Sequence, residues 1–114
     1  MAGAARLAQE LGYTVSGSDA AFYPPMDQQV RALGVPLFAG DEAAAPAQRV
    51  DCYVVGNAVS RGNPLMEKIL RERLPYISAA QWVGETVLRG RTVLAVAGTH
   101  GKTTTASLLA WILT

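Results

Sequence analysis

The chain has 114 residues, enough for one domain with a hydrophobic core. Half of them are hydrophobic and 17% are charged, which excludes a disordered chain. The formal charge of +1, with basic residues scattered, argues against nucleic acid as the main partner. The first predicted element is a helix over residues 3–11, where Leu7, Leu11 and the small Ala4, Ala5 and Ala8 suit close packing on a sheet; Gly12 ends it. "YTVSGSD" (13–19) predicts a strand, with Tyr13 and Val15 alternating against Thr14 and Ser16. "YPPM" opens a second helix around Asp27 to Leu33, stopped by Gly34. "VPLFAG" (35–40) is a short strand, and Pro36 suits an edge position. "DEAAAPAQR" (41–49) reads as a surface loop or a broken helical turn.

"VDCYVVGN" (50–57) is apolar almost throughout, as expected of a strand covered on both faces. Cys52 within it predicts a buried structural thiol. As the single cysteine it excludes an internal disulfide and fits a reducing compartment. "NPLMEKILRER" (63–73) predicts an amphipathic helix with Leu65, Ile69 and Leu70 inward. A strand "LPYISA" (74–79), a helix "AAQWVGETVLRG" (79–90), a strand "RTVLAVAG" (91–98) and a helix from Lys102 complete the chain. Alternating strands and helices predict an α/β fold, a parallel sheet with helices on both faces. Such a chain should open with a strand, and this one opens with a helix. No apolar run approaches the roughly 18 residues of a membrane helix. The N-terminus carries Glu10 and no basic leader. The expectation is a soluble, cytoplasmic protein without a membrane partner.

Three places carry chemistry. Asp19 ends the strand after the first helix, where dinucleotide-binding folds put an acid on a ribose hydroxyl; it equally suits a strand-end turn. "GNAVSRGNP" (56–64) follows another strand, and ligands of open α/β sheets bind outside the carboxyl ends of strands. Asn57, Ser60, Arg61 and Asn63 offer amide, hydroxyl and guanidinium groups there, while Asn63 before Pro64 is also a natural helix cap. "GTHGKTT" (98–104) is a phosphate loop between an apolar strand and a helix. Gly101, Lys102 and Thr103 fit G-x-x-x-x-G-K-[ST], but Val96 stands where the first glycine belongs. Gly98, Thr99, His100, Gly101 and Thr104 would line the phosphates. Lys102 would neutralise the β- and γ-phosphates of ATP, and the Thr103 hydroxyl would bind Mg²⁺. His100 touches phosphate or substrate, or faces solvent.

"VAGTHGKTTT", with "GSDAAFYPPM", "GNAVSRGNP" and "PYISAAQW", resembles the Mur ligases, which add amino acids or peptides to UDP-N-acetylmuramate. That family's loop tolerates a residue other than glycine at the first position. The resemblance implies a Rossmann-like UDP-sugar-binding domain over residues 1–90, lacking its first strand and most of its glycine loop. It implies the opening strand, loop and helix of an ATP-binding domain over 91–114. The chain would then be the front of a longer, three-domain enzyme and inactive alone. In the intact enzyme, ATP with Mg²⁺ would phosphorylate the muramate carboxylate, and the amino group of the acceptor would attack the acyl phosphate. Lys102 and Thr103 would stabilise the moving charge; Asp19, Asn57, Ser60, Arg61 and Asn63 would hold the UDP-sugar. "YPPM" and "RGNP" point to the branch that takes a murein tripeptide, with the branch that takes L-alanine as the alternative. A generic P-loop ATPase or kinase and a non-catalytic Rossmann-like module are the other readings. With the first strand lost, Thr92–Ala97 is expected to join the sheet, within one chain or by exchange in a dimer, and exchange is favoured.

Overall fold

The computed structural model describes residues 1–19, 21, 23–39 and 49–114. Nine elements and one π-helical turn follow in order. They are α1 (Ala2–Glu10), β1 (Gly17–Asp19), α2 (Met26–Ala32), β2 (Leu37–Ala39), β3 (Tyr53–Val55), α3 (Pro64–Arg71), β4 (Tyr76–Ser78), α4 (Ala79–Trp82) continued by a π-helical turn (Val83–Val87), and α5 (Lys102–Leu113). The loop expected over residues 41–49 lies outside the described residues except for Arg49.

The helices start and stop where local chemistry places them. Asn63 caps α3: its side chain accepts from the Met66 N–H at 3.1 Å, with Pro64 as the first helical residue. Ser78 caps α4 by accepting from the Gln81 N–H at 3.1 Å. Gly12, Gly34 and Gly90 follow the ends of α1, α2 and the π-helical turn, all at positive φ.

The strands are all parallel, as the sequence predicts, but they form two separate pairs instead of one sheet. β1 lies beside β2, with Gly17 opposite Leu37 and Asp19 opposite Ala39. β3 lies beside β4, with Tyr53 opposite Tyr76 and Val55 opposite Ser78. Each is three residues long, shorter than the apolar runs that predicted them. A run becomes a strand only where a neighbour meets its N–H and C=O groups. No described segment bridges the two pairs.

The expected strand over 92–97 is likewise not formed. These residues are irregular, and Val93 and Leu94 are half exposed. This corrects the expectation that Thr92–Ala97 joins the sheet within one chain. Cys52 is corrected too: it is exposed. It precedes β3 by one residue, outside the ladder that would have carried it inward.

The described core is small. Ala2 of α1, Val30 of α2 and Val35 are buried together, flanked by Val15, Leu33 and Leu37. Gln9 of α1 donates to the Leu33 carbonyl at 3.1 Å and so fastens α1 to the end of α2. In the second half, Ile69 of α3 is 2% exposed and Val87 is 9% exposed. Tyr13 and Trp82 meet edge to face, their ring centres 6.4 Å apart. Leu11, expected inward, is half exposed. No residue of α5 is buried, and its Trp111 is 76% exposed.

Candidate functional site

The Gly98–Thr104 loop is built by one backbone decision. Gly101 takes φ +75° and ψ 5° immediately before α5. A left-handed conformation costs an L side chain about 1–2 kcal/mol and glycine almost nothing. An added Cβ at Gly101 would meet no atom within 4 Å, so the backbone angle demands glycine here, not space.

Lys102, Thr103 and Thr104 are the first three residues of α5. The hydrogen bond from the Thr105 N–H to the Gly101 carbonyl, 2.9 Å, begins the helical ladder. The N–H groups of the three preceding residues therefore have no acceptor inside the helix, and they carry the positive end of its dipole. The Lys102 ammonium folds back over the loop, donating to the Gly98 carbonyl at 2.9 Å and more loosely to that of Thr99 at 3.5 Å. Three N–H donors, one ammonium and the Thr103 hydroxyl thus share one exposed turn. Beside them Leu94, Val96, Ala106 and Leu109 line an open apolar groove. His100 is exposed in the same loop. Among the described residues, no group of three or more His, Cys, Asp or Glu is placed to hold a metal ion.

The second place is the loop Gly56–Asn63, after β3. Two turns shape it: the Val59 N–H donates to the Gly56 carbonyl at 3.1 Å and the Asn63 N–H to that of Ser60 at 3.3 Å. Asn57 and Ser60 are exposed, but Asn63 and Arg61 are engaged. Asn63 caps α3 through Oδ1. Arg61 grips Glu67 with two bonds, Nε to Oε1 at 2.8 Å and Nη2 to Oε2 at 3.3 Å. Glu67 Oε1 also accepts from the Gly62 N–H at 3.0 Å. That backbone bond foremost, and then Arg61, hold the Glu67 carboxyl below the ordinary glutamate range. The start of the chain meets this loop: a Cβ on Gly56 would lie 3.4 Å from Met1 Cγ and Sδ, and the Met1 ammonium contacts Met26 Sδ at 3.8 Å. Met1, which precedes α1, therefore stands beside Gly56, just past the carboxyl end of β3.

The predicted residues thus fall in three places. Gly98–Thr104 share the α5 turn; Asn57, Ser60, Arg61 and Asn63 share the β3–α3 loop. Asp19 stands exposed at the end of β1, in the other strand pair. Sequence reasoning missed Glu67. The available signal was an acid in the first turn of a helix opened by Asn-Pro, where a carboxylate can reach back to the loop.

Comparison with known proteins places these features in a family. The description "Mur ligase family, catalytic domain" matches residues 1–91. The UDP-N-acetylmuramate–L-alanyl-γ-D-glutamyl-meso-2,6-diaminoheptandioate ligase of Escherichia coli (strain K12) is 50% identical over 113 residues, covering 99% of this chain and 25% of that protein. The UDP-N-acetylmuramate–L-alanine ligase of Psychrobacter sp. (strain PRwf-1) is 40% identical over 114 residues, covering 100% of this chain and 23% of that protein. The crystal structure of the UDP-N-acetylmuramate:L-alanyl-γ-D-glutamyl-meso-diaminopimelate ligase from Neisseria meningitides superposes with a TM-score of 0.91 at 53% identity, covering 99% of this chain and 35% of that one. The chain spans about a quarter of the length of the curated relatives it matches. On the match over residues 1–91 and identity along nearly its whole length, the chain belongs to the Mur ligase family.

Proposed function

We propose that the chain serves an ATP-dependent ligase that joins the tripeptide L-alanyl-γ-D-glutamyl-meso-diaminopimelate to UDP-N-acetylmuramate in the cytoplasm. Residues 1–90 form a Rossmann-like UDP-sugar-binding domain, and residues 91–114 open the ATP-binding domain. The observation that carries this reading is the Gly101 turn. It aims the free N–H groups of Lys102–Thr104 at one point and holds a lysine ammonium over it. That donor set suits the phosphates of a nucleotide. The two parallel pairs, β1–β2 and β3–β4, fit the two halves of a doubly wound sheet. Half identity to a tripeptide ligase, against 40% to an alanine ligase, favours the tripeptide as acceptor.

ATP, when bound, supplies the phosphoryl group that activates the muramate carboxylate. The N–H groups of Lys102–Thr104 bind and orient its phosphates. Lys102 exchanges the Gly98 carbonyl for phosphate oxygen and neutralises charge there. Thr103 offers its hydroxyl to Mg²⁺, and Gly98, Thr99 and His100 border the phosphates. Asp19, Asn57 and Ser60 face the UDP-sugar, while Asn63 and Arg61 shape the loop that presents it.

Phosphate release with UDP-N-acetylmuramate, ATP and Mg²⁺, in the presence of tripeptide or L-alanine, tests the reading. Tripeptide-dependent release that Lys102→Ala abolishes is expected of an intact ligase carrying this segment, and no turnover is expected of the 114-residue chain by itself. Release that answers to L-alanine alone would favour the alanine-adding reading, and release that ignores both acceptors would leave only an ATPase.

A further inference from the structure

Three ties hold the Gly56–Asn63 loop to α3. Asn63 caps the helix, the Gly62 N–H donates to Glu67 at 3.0 Å, and Arg61 forms a two-bond fork with the same carboxylate. Two of the three converge on Glu67, one turn into α3. Gly62, at φ +90°, sits between Arg61 and the cap, so the Glu67 carboxylate fixes the segment where the chain reverses. The carboxylate accepts three N–H donors, which is most of its capacity. The Arg61 guanidinium has two of its N–H groups on Glu67 and is aimed at α3.

This arrangement separates two roles for Arg61. A direct ligand contact would use the guanidinium donors that Glu67 leaves over, since the carboxylate takes two of the five. A fastener would need the pair intact. We propose that Glu67 is a positioning residue for the sugar-nucleotide loop: with Arg61 it forms one clamp that fixes the Gly62 turn and presents Asn57 and Ser60 to UDP-N-acetylmuramate. The inference rests on the reading of this loop as the UDP-sugar site. It assigns Arg61 a part in the clamp and adds Glu67 as a residue acting through others.

A double-mutant cycle in an intact ligase carrying this segment tests it, with UDP-N-acetylmuramate binding followed by calorimetry and Gly62 amide exchange followed by NMR. An exposed ion pair of this kind is worth up to about fivefold in an equilibrium constant. Arg61→Ala and Glu67→Ala are each expected to weaken binding by such a factor and to speed Gly62 exchange, and the double variant to cost no more than either. Glu67→Gln keeps an acceptor for the Gly62 N–H and is expected to recover part of the loss. A different pattern overturns the clamp: Arg61→Ala weakens binding while Glu67→Ala leaves it unchanged or tighter, as freeing a guanidinium for direct contact would do. Should binding in the intact ligase be the same for Arg61→Ala, Glu67→Ala and the unaltered protein while Gly62 exchange still responds to Glu67→Ala, the loop's assignment fails and the clamp is purely structural.

Discussion

The Lys102 ammonium lies 2.9 Å from the Gly98 carbonyl, so the cation of this loop is held on its own backbone. The bond bends the side chain back towards the residues before α5. A phosphate arriving there replaces one carbonyl partner by a charged one, and charge-assisted bonds are about twice as strong. In an intact ligase carrying this segment, Lys102→Ala is expected to lower turnover by about 100- to 1,000-fold, the range for removing one electrostatic stabiliser. Lys102→Arg should rescue little, since a planar fork does not replace a point charge in a tight loop. Steady-state phosphate release measures both.

Gly101→Ala isolates the cost of the backbone angle. No atom opposes the new Cβ, so the whole penalty is the left-handed φ, about 1–2 kcal/mol. The expected result is a weaker start to α5 and weaker ATP binding. Circular dichroism and nucleotide titration read the two effects separately. An unchanged helix signal with unchanged ATP affinity would contradict this account of the turn.

The Glu67 clamp has a pH dependence of defined sign. Its carboxyl is held low by the Gly62 N–H and Arg61, so the folded state favours the ionised form. The contribution is present above the ordinary glutamate pKa and is lost as pH falls through the lowered folded value. Gly62 amide protection, corrected for intrinsic exchange, should therefore fall in acid and hold constant near neutrality. Glu67→Gln should flatten the profile.

Ile69 is the most buried side chain of the described core, at 2% exposure. Ile69→Ala is expected to destabilise the fold by about 2–4 kcal/mol through lost transfer energy and a cavity. Asn63→Ala, by removing the α3 cap, should cost about 1 kcal/mol. Denaturant midpoints test both. If Asn63→Ala also weakened UDP-sugar binding far more than its stability loss explains, Asn63 would have a ligand role beyond its cap.

α5 gives the opposite expectation. Trp111, Ile112 and Leu113 are each more than half exposed. Trp111→Ser with Ile112→Ser should change the stability of the remaining fold by no more than about 0.5 kcal/mol, as surface substitutions do. It should also reduce self-association on concentration, seen by light scattering.

Sequence alone determined what local chemistry determines. The α3 start at Asn63-Pro64, the glycines that follow three of the helical segments, and the Gly-Lys-Thr opening of α5 all appear where residues read in order place them. These features close within a turn or two of chain, through caps, positive φ and i to i+4 bonds. Parallel pairing was legible as well, from strands alternating with helices. The extent of the strands was not. "TVLAVAG" and "VDCYVV" read as equally good strands, yet only residues 53–55 pair, and Thr92–Ala97 finds no ladder. A strand is a relation between distant segments, so an apolar run cannot announce whether a neighbour will meet it. The same reason left Cys52 outside the ladder and exposed. It also hid the Arg61–Glu67 clamp, six residues apart: a flexible cation can face a ligand or a carboxylate, and only the folded loop brought that carboxylate within 2.8 Å.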